Sequence, residues 1–413
     1  ARMVDFPEVG LRPVLSRSLS QKEASRSLRV CPGIYVEHQA AGKSSPTREL
    51  KPVCHPVVGP ALAVWIGHAT DKDVRQFGSS GGALTALCLY SLESRGVDFV
   101  AHSRMNTAQP WKNKSTLSRN RSELLAASGS RYAPSSHCDL LPEVERTAGR
   151  STFVGKPCDV AAVRLLTRQK PQLASKLDSV LTFFCAGTPS SGAVRQLAEN
   201  GVGPAVANVT ELHYRGNGWP GSFRMRIGDG SLKDYFSYED SWGRIQRHRG
   251  LRCHLCADGM GELGDVSCGD AWHLYRNDGN PGLSIIVART LRGKALVEEA
   301  ERAGYLTLRR TNVEAVLHAQ GSEAGIANRR RAIWARLVVF RLFGIPHPRY
   351  IGFRLFRAWL GLSLAEKGKS ILGTVRRVYT RRLFRPQQLH GKADVGEGAF
   401  FRNSEVDERK RGK

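Results

Sequence analysis

Two cysteines three positions apart, Cys253 and Cys256, stand in the run RCHLCADGMGELGDVSCGDAW from Arg252 to Trp272. A Cys-x-x-Cys pair suits zinc, a redox disulfide or two corners of an iron–sulfur cluster, because each needs thiolates close together on a tight turn. Asp258 and Asp270 lie in the same run, on either side of a glycine turn at Gly259 and Gly261. They are candidates for hydrogen bonds to a bound group, or for plain turn capping. The neighbouring His273 reads as structural. The pair alone does not choose among its three chemistries.

Two further cysteines come into view through the elements that must carry them. Thr152–Gly155 reads as a short strand, Lys156-Pro157-Cys158 as a turn and Val160–Arg168 as a helix. Val180–Phe184 reads as a second buried strand; it runs into Cys185 and is followed by a helix over Gly192–Glu199. Each strand thus ends in a cysteine at the head of a helix. In an α/β sheet the strand C-termini converge on the ligand crevice, so Cys158 and Cys185 can meet in space and, with Cys253 and Cys256, make a set of four. Taken singly, each is an ordinary buried cysteine. Upstream, Ser79-Ser80-Gly81-Gly82 opens a helix with serine as its expected N-cap and Leu84, Leu87, Cys88 and Leu92 on one face. Free amides at such a start can hold a phosphate; an ordinary capped helix is the plainer reading.

Nine cysteines, an odd number at scattered spacings, do not form a disulfide framework and fit a reducing compartment with metal or cluster ligation. The net charge of +25 points to nucleic acid, an anionic membrane or an anionic cofactor. From Arg329 to Lys413 there are 21 Lys/Arg against 6 Asp/Glu, so the last fifth of the chain holds over half of the excess. Residues 1–60, punctuated by seven prolines, are expected to be loops with short strands. Two segments of the basic region, Ile333–Phe343 and Tyr350–Leu364, interleave apolar residues with arginines and are split at Pro346 and Pro348. Each is too short to cross a bilayer of about 30 Å. An in-plane helix pair is expected there, with Arg331, Arg336, Arg341, Arg354 and Arg357 reaching lipid phosphates. The tail from Gly391 is expected to be disordered. Neither a secretory leader nor a spanning helix is expected.

The chain resembles the β-subunit family of coenzyme F420 hydrogenases and dehydrogenases, which includes 7-hydroxymethyl chlorophyll a reductases. Five motifs carry the resemblance in order: FGSSGGALTAL at Phe77–Leu87, FVGKPCDVAAVR at Phe153–Arg164, FFCAGTPS at Phe183–Ser190, YRGNGWPG at Tyr214–Gly221, and the Arg252–Trp272 run. The match covers roughly Gly67 to Gly304. The resemblance implies an oxidoreductase holding FAD and a 4Fe-4S cluster, and passing electrons between these and coenzyme F420 or another small redox partner. By motif, the cluster ligands are Cys158, Cys185, Cys253 and Cys256. The flavin set is Ser79, Ser80, Gly81, Gly82, Thr85, Gly155 and Lys156, with Asp258 and Asp270 near one group or the other; no catalytic residue is assigned. The fold implied is α/β with a mixed sheet. Its divisions are a degenerate ferredoxin-like segment (1–60), the flavin and iron–sulfur core (61–325), a basic amphipathic helical region (326–390) and the tail (391–413).

Departures accompany the match. Of the ferredoxin-like cysteine runs only Cys31-Pro32-Gly33 is left, so the extra clusters are expected to be absent or to lie on a missing upstream piece. Lys156 and Asp159 replace a threonine and a glutamine, so the substrate does not transfer with the family. The partners expected are a redox protein or deazaflavin coenzyme and an anionic membrane surface, with no nucleic acid; the location expected is cytoplasmic, at the inner membrane face. The competing readings are a zinc-binding module, or a non-catalytic membrane-associated accessory of surface-polysaccharide assembly. Zinc sites favour two close pairs of ligands, and Cys158 and Cys185 are unpaired, which favours a cluster built into the fold.

Overall fold

The computed structural model describes residues 2–38, 53–322 and 325–385. The expected tail, Gly391 onward, lies outside the described residues. At the centre is an eight-stranded mixed sheet. Its spatial order is Leu306–Thr311, Ala63–Ala69, Ser284–Ala288, Val266–Asp270, Leu177–Phe183, Ser151–Gly155, Phe99–Met105 and Asn113–Ser118. The four strands from Val266–Asp270 to Phe99–Met105 run parallel, and the flanking pairs are antiparallel.

The central strands are near-continuous apolar or small runs because both faces are covered. SIIVA at Ser284–Ala288 is buried throughout. Alternate residues serve opposite faces: Ile286 and Ala288 join Val100, Val154 and Leu181 under the helices Ala83–Glu93 and Leu291–Arg302. Ile285 and Val287 pack the other way, with Val64, Ile66 and Val316. Farther along that second face, Phe99, Phe153 and Val180 meet Val160 and Val163 of the helix Pro157–Thr167. The two cysteine-bearing strands therefore form where their sequences place them, Ser151–Gly155 and Leu177–Phe183, and both run out toward one edge of the sheet.

A smaller lobe stands over that edge. It comprises the antiparallel sheet Val209–His213, Ser222–Ile227 and Lys233–Ser237 with the helices Ser191–Val202 and Tyr238–Ile245. The hairpin Arg2–Phe6 with Gly10–Val14 docks on it: the Gly192 amide donates to the Pro7 carbonyl at 2.8 Å, where a Cβ on Gly192 would lie 2.6 Å from that oxygen.

The basic C-terminal region differs from expectation. Tyr350–Leu364 is not one helix. Arg349–Ile351 is a strand paired in parallel with Tyr35–Glu37, Leu355–Leu360 is a short helix, and Leu364–Thr380 is a separate helix with a Ser363/Glu366 capping box. Gly352 and Arg354, both with positive φ, break the run between strand and short helix. Arg330 fastens this region to the core. Its buried guanidinium pairs with Glu262 and donates to the carbonyls of Pro56 (3.0 Å), Ala257 (2.6 Å) and Phe353 (2.8 Å). Of the five arginines expected to face lipid, three are used within the chain: Arg336 donates to His254 O, Arg354 to Cys54 O and Arg331 to Asn328. Among the described residues no helix is long and apolar enough to cross a membrane.

Candidate active site

A cavity of about 970 Å³ opens at the C-terminal edge of the parallel strands, at the upper end of the roughly 300–1,000 Å³ usual for cofactor sites. Each parallel strand contributes where its ladder ends: His102 and Ser103, Val154 with Lys156, Phe183 through Thr188, and Cys268 through Asp270. The lobe supplies the facing wall with Arg215, Tyr238, Trp242 and Arg249.

At one end of the cavity lies the start of the helix Ala83–Glu93. The serines do not cap it. Gly82 is the N-cap, in the left-handed region at φ 70°, and no side chain bonds the first amides. Ser79 Oγ instead accepts from the Ser130 amide at 2.6 Å, and Ser80 Oγ meets Ser284 Oγ at 2.8 Å. The Gly81 amide is also taken, by Ser284 Oγ at 3.0 Å, and a Cβ on Gly81 would stand 2.6 Å from the Gly67 carbonyl. Gly81 is thus a packing glycine against the sheet and not part of the cavity lining. Ser79, Ser80, Gly82, Ala83, Leu84 and Thr85 do line the cavity, so the uncapped amides face space that can hold an anion.

The middle of the cavity is polar but internally balanced. Arg215 is buried and forks onto Asp270 at 2.6 and 3.1 Å. Trp219 Nε1 donates to the same carboxylate at 3.0 Å. The Arg215 guanidinium lies over the Tyr238 and Trp272 rings, which stack with Trp219 into an aromatic wall. Lys156 Nζ pairs with Asp159 at 2.6 Å and donates to Ser135 O at 3.0 Å. Burial works against charge on both partners; the pair's mutual attraction, joined by His137, still holds Asp159 well below the usual carboxylate range and Lys156 above the usual amine range. Burial keeps His102 neutral, with its pKa down at about 4.

The four motif cysteines come together where the cavity ends. Cys185 follows one strand and Cys158 opens the helix Pro157–Thr167; Cys253 lies in the turn Leu251–His254, with Cys256 just after it. The loops are tied: the Cys185 amide donates to Gly259 O at 2.8 Å, and Cys253 Sγ accepts from the Thr188 amide at 3.4 Å. Gly187, at φ 117°, permits this approach, since a Cβ there would lie 3.1 Å from Cys253 Cβ and 2.5 Å from Arg249 Cδ. The thiols feel one another. Burial and then Cys253 and Cys256 push Cys185 up to about 12, and burial, Asp159 and Cys185 raise Cys158. Among the described residues, no three His, Cys, Asp or Glu side chains close tightly enough to hold a metal ion as they stand. Cys268, in the same motif, is elsewhere: it lies on the central strand and packs with Cys88.

The remaining expected residues are apart from the cavity. Gly155 accepts from Thr182 Oγ1 at 2.8 Å within the sheet. Asp258 is buried beneath the cysteine turn, where one oxygen accepts the Glu262 amide at 2.7 Å and the other has no partner. Burial and the charge of Glu262 raise its pKa to about 6. The sequence reading did not find Arg131, Tyr132, His102, Tyr238, Trp242 or His318, all of which line the cavity. Only Arg215 had a signal, its place in the YRGNGWPG motif.

The geometry can be set beside known proteins. Residues 64–142 match the family model described as coenzyme F420 hydrogenase/dehydrogenase, beta subunit N-term, and residues 149–314 the corresponding C terminus. The coenzyme F420 hydrogenase subunit beta of Methanococcus voltae is 28% identical over 244 residues, 58% of this chain and 80% of that protein. The F420-dependent formate dehydrogenase subunit beta of Methanocaldococcus jannaschii is 25% identical over 255 residues, 60% of this chain and 62% of that protein. A chain of the F420-reducing [NiFe] hydrogenase complex from Methanosarcina barkeri shares the fold with a TM-score of 0.53 at 20% identity, over 69% of this chain and 96% of that one.

Proposed function

The chain belongs to the coenzyme F420 hydrogenase/dehydrogenase beta-subunit family, and we propose that it is an iron–sulfur flavoprotein oxidoreductase serving coenzyme F420 or another small redox partner. One observation carries the reading: Cys185 lines the cavity and is also one of the four gathered cysteines, so a cofactor in the cavity would lie directly beside whatever those thiols hold. When bound, FAD would accept a hydride as an electron pair and release electrons singly to a 4Fe-4S cluster.

The donor set fits such a cluster: four thiols, and around them buried arginine nitrogens, Arg329 Nε and Arg336 Nε, that have no partner. The uncapped amides of Ala83, Leu84 and Thr85 fit a flavin diphosphate. The chain's own residues then orient and shield. The stacked Tyr238, Trp272 and Trp219 wall, held flat by Arg215, offers a face to a planar ring. The lobe would shield the strand ends from solvent. Lys156 keeps a proton on Nζ at the cavity wall, available to a developing negative charge on a bound ring.

Anaerobically purified protein should show flavin bands with a broad iron–sulfur shoulder; a colourless protein containing zinc would overturn the proposal. Thr85→Glu should lose flavin on dialysis while folding normally, because an acid in the first turn suits the helix dipole but repels a phosphate. Flavin retained at wild-type stoichiometry in this variant would remove the diphosphate from the helix start. A turnover screen with reduced deazaflavin, NADPH and ferredoxin assigns the partner.

A location at an anionic membrane face is favoured by one further observation. The helix Leu364–Thr380 buries Ser370, Thr374 and Val378 and turns Leu364 (86% exposed), Leu372 (70%) and Tyr379 (59%) outward, with Lys369 and Arg376 exposed beside them. Leu342 at 79% extends the apolar surface. Basic residues near an anionic leaflet add on the order of 1 kcal/mol each. The full chain should float with phosphatidylglycerol vesicles at low salt, and the triple variant Leu364→Glu, Leu372→Glu, Tyr379→Glu should not. A wild-type chain left at the bottom of the gradient overturns this location.

A further inference from the structure

Four arginines converge on the cysteine loops, and among the described residues none of them pairs with a carboxylate. Arg249 and Arg329 both donate to the carbonyl of Ala186, the residue after Cys185, the latter at 2.7 Å. Arg252 donates to Pro32 O at 2.6 Å and to the Tyr350 hydroxyl at 3.0 Å. Arg336 donates to His254 O, between Cys253 and Cys256, at 2.8 Å. Two of the four keep a buried Nε with no partner, Arg329 and Arg336. Half-buried cations bonded to carbonyls and a phenol but to no carboxylate are costly unless an anion stands nearby. The burial cost registers on Arg249, Arg329 and Arg336, whose pKa values are all lowered by it, Arg336 to about 10.

We propose that Arg249, Arg252, Arg329 and Arg336 form a cationic cradle for an anionic four-thiolate group at Cys158, Cys185, Cys253 and Cys256, and that Arg329 and Arg336 set its reduction potential as positioning residues. The proposal rests on the reading of those cysteines as cluster ligands. Each electron added to a thiolate-bound cluster adds negative charge, so nearby fixed cations favour the reduced form. Arg329 and Arg336 come from the helices Ile326–Arg331 and Ile333–Leu342, beyond the residues 64–314 that carry the family match. The C-terminal region thereby acts on the redox site directly, as an element that adjusts a shared centre.

The test is an anaerobic redox titration of the reconstituted full chain, followed by visible absorption and electron paramagnetic resonance, with iron counted per chain. The double variant Arg329→Gln, Arg336→Gln should keep wild-type iron and show a reduced-to-oxidised ratio about tenfold lower at a fixed ambient potential, a shift of about 59 mV for one electron. The double lysine variant, which keeps the charge, should show less than half of that shift. An unchanged ratio in the glutamine variant overturns the proposal. So does an equal shift in both variants, which would make the effect one of shape, and so does iron loss in both, which would make the residues structural. Absence of iron in the wild type, or iron retained by Cys253→Ser, fails the ligand reading itself; iron present with an unmoved potential fails only the arginine inference.

Discussion

Two cations at the middle of the cavity, Arg215 and Lys156, and the four of the cysteine loops are treated in opposite ways, although the two sites share Cys185 and Arg249. At the middle of the cavity wall Arg215 has Asp270 and Lys156 has Asp159, each within hydrogen-bond distance, while Arg131, elsewhere in the lining, is bonded to Asn113 Oδ1 and the carbonyls of Leu212 and Pro110. Around the cysteines, Arg249, Arg252, Arg329 and Arg336 have carbonyls and a phenol but, among the described residues, no carboxylate. A site whose charges cancel internally can take a largely neutral ring and leave recognition of phosphate to the helix start. A site left with surplus positive charge is built for an anion. The difference matches what the proposed flavin pocket and the proposed cluster seat would each require.

The largest effect expected from breaking this contrast is at the cysteines. Cys253→Ser or Cys158→Ser should abolish iron binding, whereas Cys138→Ser, a thiol that only bonds the Asp159 carbonyl, should leave it unchanged. Iron analysis after anaerobic reconstitution decides it, and full iron in both ligand variants would dissolve the anionic site. On the cavity side, Asp270→Ala removes the internal balance. It leaves the Arg215 guanidinium buried without a counter-ion, which should cost about 3–5 kcal/mol of stability in urea unfolding. A loss below about 1 kcal/mol would show that the pair is surface-like and that the cavity is not charge-balanced by design.

The elements that present the cysteines were legible because their evidence is local. TFVG and VLTFF are short apolar runs followed by turn residues, and they fall within the observed strands Ser151–Gly155 and Leu177–Phe183 or one residue beyond. The capping of the Ala83–Glu93 helix was not legible. Ser79 and Ser80 have the chemistry of N-caps, but Ser130 and Ser284, distant in sequence, compete for their hydroxyls. The basic C-terminal region misled for a related reason. An alternation of arginine and apolar residues fits a helix on lipid or a helix on a protein core equally well, and only the carbonyl of His254 reveals that Arg336 faces inward. The lobe's aromatic wall was invisible because Trp219, Tyr238 and Trp272 meet only after three separate segments fold together.

The smallest effect expected concerns His102, a neutral group of the cavity lining. The ring is buried on its strand, bonded to Ser118 Oγ at 2.7 Å, and among the described residues has no acidic partner. Burial, and then the neighbouring His137, hold its pKa down at about 4, against an ordinary value of 6.5. The native protein therefore keeps the ring neutral down to about pH 4, while the unfolded chain takes up a proton below about pH 6.5. Between these values the unfolded state binds more protons, so stability falls as pH falls. The contribution of His102 is fully present above pH 6.5 and is lost through the window from 6.5 to 4, by roughly 3 kcal/mol at most. His137, also depressed by burial, acts in the same direction. Urea midpoints of the wild type and His102→Asn, measured at matched pH values, isolate this one group, because every other titration is common to both. The difference between the two proteins should be constant above pH 6.5 and should shrink as pH drops toward 4. A difference independent of pH would mean that His102 titrates alike in the native and unfolded states and is not held neutral by burial, whereas a difference that grows as pH drops would mean that the native cavity holds the ring charged beside an anion.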